Sequence, residues 1–219
     1  MPNEQTSRAL KWILIDIACV TFPCVIFIVL YSMIYSPSDY RVVKELRTRG
    51  FAVEYRRHDG SIKCYPTFVY RKSQGLQILT PDDCRLICQL PHLKGLDFVG
   101  GDLSGLNVDD IGNCQELWTF NCVGVTQFPA SEIRKLAACP VKIMMMQGIQ
   151  LKDSDLENFV GLTQLEALSL EENTEITDAG LKHLEKIAPI RSINLLGTNV
   201  TEEGIDEFKK KRPDVHVVF

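Results

Sequence analysis

An apolar triplet at positions i, i+3 and i+5 recurs down most of this chain. It reads Leu93, Leu96, Phe98; Leu117, Phe120, Cys122; Val141, Met144, Met146; Leu165, Leu168, Leu170; and Ile190, Ile193, Leu195, with starts 24, 24, 24 and 25 residues apart. A further 25 residues brings Val215 and Val218, a terminal sixth strand motif. Between triplets, Ile133 and Leu136, Leu156 and Phe159, Leu181 and Leu184, and Ile205 and Phe208 change the spacing to a helical one. Each unit therefore reads as a short strand, a turn and a helix. No unit of that size buries its apolar face alone, so neighbours must stack into one continuous core. The expected fold is α/β, with a short parallel sheet inside and helices outside, over residues 81–219.

The N-terminus carries a different apolar pattern. Trp12 to Tyr35 is a block of 24 residues, without charge from Ile17 to Ile34. About 20 helical residues cross the roughly 30 Å of a bilayer's hydrocarbon. Trp12, Tyr31 and Tyr35 suit interfacial aromatic belts, and Arg8 and Lys11 precede the block. The expectation is a tail over residues 1–11 and a single-pass transmembrane anchor over 12–35, with the lipid bilayer as one partner. A cleaved signal peptide competes with it, but that has a shorter apolar core and small residues where Met33, Ile34 and Tyr35 stand. The side of the membrane stays open. Arg41, Lys44, Arg47 and Arg49 favour a cytoplasmic C-terminal part, whereas a short basic tail retained inside fits the reverse.

Residues 38–80 follow neither pattern. Asp39 to Arg49, with Val42, Val43 and Leu46 on one stripe and Gly50 as a stop, predicts a short helix. Phe51, Val53 and Tyr55 alternate, His58 to Ser61 supplies turn chemistry, and Ile62 to Tyr70 predicts a partner strand. A stack of repeats would leave an open edge and exposed core at its first unit, so helix and hairpin are expected to serve as an N-terminal cap.

The segments LEALSLEENTEITDAGLKHL (165–184) and IRSINLLGTNVTEEGIDEF (190–208) resemble the leucine-rich repeat pattern LxxLxLxxTxVTDxGLxxL. The likeness is to the cysteine-containing-type repeats of F-box receptors, and especially to membrane-anchored repeat proteins of planctomycete bacteria. It covers roughly Leu86 to Phe219 and is strongest after Val141. It implies a leucine-rich repeat solenoid. The position usually held by Asn, Cys or Thr is Gly101, Val125 and Ile149 before becoming Asn173 and Thr198, so the first turns are expected to be irregular.

Composition narrows the function. With 24 Lys and Arg against 28 Asp and Glu, the net charge of −4 is no footprint for nucleic acid. Of eight cysteines, Cys19 and Cys24 fall in the anchor. Cys122 takes the inward place of Phe98, Met146 and Leu170, and Cys114 that of Leu162 and Ile187, so both should pack as core. Cys84 and Cys88, four apart on an expected helix, could offer zinc two thiolates, but no further ligands follow at motif spacing. Cys64 and Cys139 stay unassigned. His58, His92, His183 and His216 are scattered, Asp82 with Asp83 and Asp109 with Asp110 sit at helix starts, and GGDLSG (100–105) lacks the ending of a phosphate loop. No catalytic residue, metal site or cofactor is expected.

That leaves a binding surface. Residues between the apolar positions of each triplet face away from the core, because side chains alternate along a strand. Stacked, they form a central column of Asp97, Asn121, Met145, Ser169 and Asn194. It is flanked by Gly95, Thr119, Ile143, Ala167 and Ser192, and by Val99, Val123, Gln147, Glu171 and Leu196. Val99, Val123, Ile143, Met145 and Leu196 are apolar where water would otherwise meet them, which suits a contact with a protein partner. The expected function is a non-enzymatic, membrane-anchored protein-binding module. The alternative is an enzyme or zinc-dependent protein with its site in the cap near Cys84 and Cys88.

Overall fold

The computed structural model describes residues 37–57, 64–72, 78–90, 93–111 and 114–219. The expected tail and anchor, over 1–11 and 12–35, lie outside these residues, as do His58 to Ser61 and His92. Among the described residues no helix is long and apolar enough to cross a membrane.

One eight-stranded sheet runs through the molecule in sequence order. Its strands are β1 (Ala52–Arg57), β2 (Cys64–Lys72), β3 (Gly95–Val99), β4 (Thr119–Val123), β5 (Ile143–Gln147), β6 (Ala167–Ser169), β7 (Ser192–Asn194) and β8 (His216–Val218). The first two pair antiparallel, and every later neighbour is parallel. Register follows the five triplets, whereas the sixth motif is shifted by one: Val217, not Val218, pairs with Ile193 and is buried, and Val218 is 37% exposed. Leu96 aligns with Phe120, Met144, Leu168, Ile193 and Val217, all buried in one continuous core. A buried Leu or Ile side chain contributes about 1.5–3 kcal/mol relative to exposure, so the repeated inward column is the main source of cohesion.

Helix Pro37–Thr48 presents buried Val42, Val43 and Leu46 to that core. The second hairpin strand begins at Cys64 and ends at Lys72, two residues later at each end than the alternation suggested. It pairs in parallel with β3, so the hairpin continues the solenoid's own ladder. Ile78 bridges Asp102, and the Leu79 amide donates to the Asp102 carbonyl at 2.8 Å.

The outer elements correct one expectation. Ala130–Ala138 and Asp153–Phe159 are 3₁₀ helices, whereas Pro81–Ile87, Val108–Ile111, Asp178–Leu184 and Glu202–Lys211 are α-helical. Residues three apart eclipse at three residues per turn, so the i, i+3 pairs Ile133 with Leu136 and Leu156 with Phe159 still point inward together. Rising about 2.0 Å per residue against 1.5 Å in an α-helix, the 3₁₀ form crosses the outer side of a coil with fewer residues.

Each coil leaves its strand through a left-handed residue. Gly100, Gly124, Gly148, Glu172 and Gly197 have φ of 68°, 59°, 60°, 60° and 70°. Glycine fits four of these without Cβ strain, and Glu172 alone bears it.

Candidate functional site: the open face of the sheet

Parallel register assembles the outward columns as the alternation predicts. Gly95, Thr119, Ile143, Ala167 and Ser192 align in one, and Asp97, Asn121, Met145, Ser169 and Asn194 in the next. In the third, Val99, Val123 and Gln147 lie on paired strands, but Glu171 and Leu196 do not. β6 and β7 stop after three residues, so these two side chains stand in the turns that follow. Backbone pairing persists there: the Gly148 amide donates to the Glu171 carbonyl at 2.9 Å, and Glu172 to that of Leu196 at 2.8 Å.

Exposure separates the members. Val99 is 40% exposed, Ile143 36%, Met145 44% and Leu196 42%. Asp97, Thr119, Val123, Gln147, Ser169, Glu171 and Asn194 are half-buried. Asn121 departs from expectation, because it is buried. Its amide donates to Asp97 Oδ1, and its Oδ1 accepts the Met145 amide at 3.0 Å. A side chain tied on both sides to neighbouring strands braces the sheet and presents little to a partner. Asn194 is held by the preceding coil and by its own turn, donating to Glu171 Oε2 at 3.2 Å and accepting from the Leu196 amide at 3.1 Å. The Thr119 hydroxyl is buried without a hydrogen-bond partner among the described residues.

Between these braces the surface dips. A shallow depression of about 130 Å³ is lined by Ile143, Met145, Ala167, Ser169, Ser192 and Asn194, with Met144 and Leu168 at its floor. Its wall is mostly apolar, with hydroxyl and amide groups at the β7 side. It can accept a hydrophobic side chain and orient a polar group beside it.

Sequence reasoning missed two contributors. Trp118 is 44% exposed at the rim, where its carbonyl accepts the amides of Lys142 at 2.8 Å and Ile143 at 3.1 Å. The same rim position is Lys94, Lys142, Glu166 and Arg191 in the other coils, and an indole in a column of charges was the available signal. The second is β2, whose register places Phe68, Tyr70 and Lys72 in line with Gly95, Asp97 and Val99.

The cysteine expectations resolve by depth. Cys122 and Cys114 are buried as core, Cys84 is buried in helix Pro81–Ile87, and Cys88 is half-buried at its end. Burial pushes the Cys122 thiol well above its usual range, with the Asp97 carboxylate adding to it. No group of three His, Cys, Asp or Glu side chains that could hold a metal occurs among the described residues. Asp83 serves as a cap, taking the Thr80 amide at 2.9 Å while Thr80 Oγ1 accepts its own.

No family model matches the chain, and no curated protein matches it. Among solved structures it is similar to a leucine-rich repeat protein of Leptospira interrogans, at 12% identity and a TM-score of 0.43 over 70% of this chain and 37% of that one. It is also similar to internalin C2 of Listeria monocytogenes, at 14% and 0.45 over 86% and 85% of the two chains. A third is the leucine-rich repeat ectodomain of a receptor kinase of Arabidopsis thaliana, at 14% and 0.38 over 85% and 94%. The chain thus spans little more than a third of the Leptospira protein. Its own parallel ladder, its period of 24 to 25 residues and its buried inward triplets make the described repeats a solenoid of stacked strand-and-helix coils.

Proposed function

We propose that this chain is a non-enzymatic, membrane-anchored protein-binding module that takes its partner on the open face of the sheet. The observation that carries the reading is the exposure of Val99, Ile143, Met145 and Leu196 on one sheet face. Covering such surface recovers about 25 cal/mol per Å² of apolar area, and contacts at the centre of a patch dominate an interface. Met145 and Ile143 sit side by side at that centre, beside the depression and one strand from the Trp118 rim. Residues 12–35 hold the chain to the bilayer in this reading, on the strength of their uncharged apolar run.

Proximity labelling in the native membrane identifies the partner, and variants then locate its site. Ile143→Asp with Met145→Arg is expected to abolish capture while leaving the melting temperature within about 2 °C, since neither side chain belongs to the buried triplets. Lys182→Glu, exposed on the outer helix, is expected to bind normally. Full affinity in the double variant would defeat the assignment of the face. The intact chain is expected to resist alkaline washing of membranes, and its recovery in the carbonate supernatant would defeat the anchor.

A further inference from the structure

The three outward columns carry charge of one sign. Asp97 and Glu171 are the only charged residues in them, Glu172 follows in sequence, and no column holds a Lys or Arg. Cations stand at the other end of the strands, along the Trp118 rim, and they are already matched. Lys94 lies 3.9 Å from Glu116, Lys142 2.7 Å from Glu166, and Arg191 3.5 Å from Asp214. Glu171 and Glu172 form no ion pair among the described residues.

These two carboxylates adjoin the apolar depression. It forms because β6 carries the small Ala167 and Ser169 between Ile143 and Met145 of β5 and Ser192 and Asn194 of β7. Glu171 is joined to its wall, since its Oε2 accepts the Asn194 side-chain amide at 3.2 Å. Glu172 is exposed between two glycine turns. A Cβ on Gly148 would stand 3.4 Å from Glu172 Oε2, and one on Gly197 3.6 Å from its Cγ, so the bare turns leave the carboxylate room. At 3.3 Å per residue, Glu171 lies about 6.6 Å along the strand direction from Ser169.

We propose that the partner segment taken here is an extended stretch of polypeptide, with an apolar side chain in the depression and a Lys or Arg two residues away against Glu171 and Glu172. This rests on the open face being the docking surface. Residues two apart in an extended chain face the same way at about 6.6 Å, the separation of Ser169 from Glu171. The apolar anchor supplies affinity by covering Ile143 and Met145. The cation supplies orientation and selectivity, because an acidic residue in its place would meet two carboxylates with no cation between them.

The test pans the full-length chain, in detergent micelles, against a phage-displayed library of random peptides. Phage that also bind the Ile143→Asp, Met145→Arg variant are removed. Enrichment of Leu, Ile, Met or Phe two positions from Lys or Arg is expected. A synthetic peptide of the leading sequence should bind roughly tenfold more weakly to the Glu171→Gln, Glu172→Gln variant, and more weakly as salt rises. Glu171→Gln keeps an oxygen for Asn194, so an unchanged melting temperature shows that the loss reads charge alone. Peptides enriched without Lys or Arg, or bound equally by the Gln variant, would overturn the basic partner and leave the face as the docking surface. Failure to enrich any peptide would overturn it as well, and dimerisation abolished by Met145→Arg, read by light scattering, would then give the face to a second copy of the chain. The face itself fails by a separate result, full capture of the labelled partner by the Ile143→Asp, Met145→Arg variant.

Discussion

The coils before and after Val141 share one ladder but are tied together by different means. In the later coils, polar side chains link each turn to the next. Asn173 is fully buried, accepting the amides of Ile149 at 3.2 Å and Leu151 at 3.0 Å and donating to the carbonyls of Met146, Leu170 and Glu171. Asp153 accepts from the Thr177 amide and hydroxyl at 2.8 and 2.7 Å, and Asp178 does the same for Thr201 at 2.8 Å each. Glycine makes those links fit: a Cβ on Gly180 would meet Asp153 Oδ1 at 2.5 Å, and one on Gly204 would meet Asp178 Oδ1 at 2.1 Å. The TDxG wording of the repeat is thus a carboxylate of one coil holding the helix start of the next.

Earlier coils are tied by other polar links: Asn121 braces β3 to β5, and Glu132 Oε2 accepts the Val108 amide at 3.0 Å. Gly101 and Val125, and Ile149 in the first of the later coils, stand at the place of Asn173, Val108–Ile111 is only four residues, and Ala130–Ala138 begins without a side-chain cap. Apolar packing adds to these links, with Phe98 and Phe120 edge to face at 6.1 Å. In a solenoid stability is close to a sum of unit and interface contributions, so the two regions should respond differently to the same kind of change.

The largest expected effect is in the regular region. Leu168→Asp puts a charge into the buried column of β6 and should cost more than 4 kcal/mol, enough to unfold the solenoid. Lys182→Asp on the same coil's outer helix should stay within about 0.5 kcal/mol. Comparable melting temperatures for the two would mean that the register is wrong.

Next comes the polar tie. Asn173→Ala strands two amides and three carbonyls and is expected to cost roughly 3 kcal/mol, or about 8 °C in melting temperature. Ile149→Val, at the matching place one coil earlier, trims a single methylene and should cost about 1 kcal/mol. Equal losses, measured by urea denaturation, would erase the distinction between polar and apolar ties.

The smallest effect tests the turn column, where the regular region is the strained one. Glu172→Gly should raise stability by about 1 kcal/mol by relieving a left-handed Glu, while Gly124→Ala should lower it by a similar amount. No atom lies within 4 Å of a Cβ placed on Gly124, so backbone strain alone sets its cost. A destabilised Glu172→Gly variant would show that the carboxylate side chain contributes more than its backbone strain takes away.

The triplets and their 24-residue period determined the strand register, the inward column and the identity of the outward columns. Each of these depends only on alternation along a strand and on stacking like upon like. Only the tertiary structure decided which outward residues are available. Asn121 and Met145 occupy one column, yet Asn121 is buried because its amide meets Asp97 and its oxygen meets the next strand's amide. The i, i+3 pairs could not separate an α-helix from a 3₁₀ helix, since both place them on one face. Trp118 was passed over for a different reason: its place after the first apolar position is charged in the other coils, and its exposure at the rim of the open face is a property of the stacked coils.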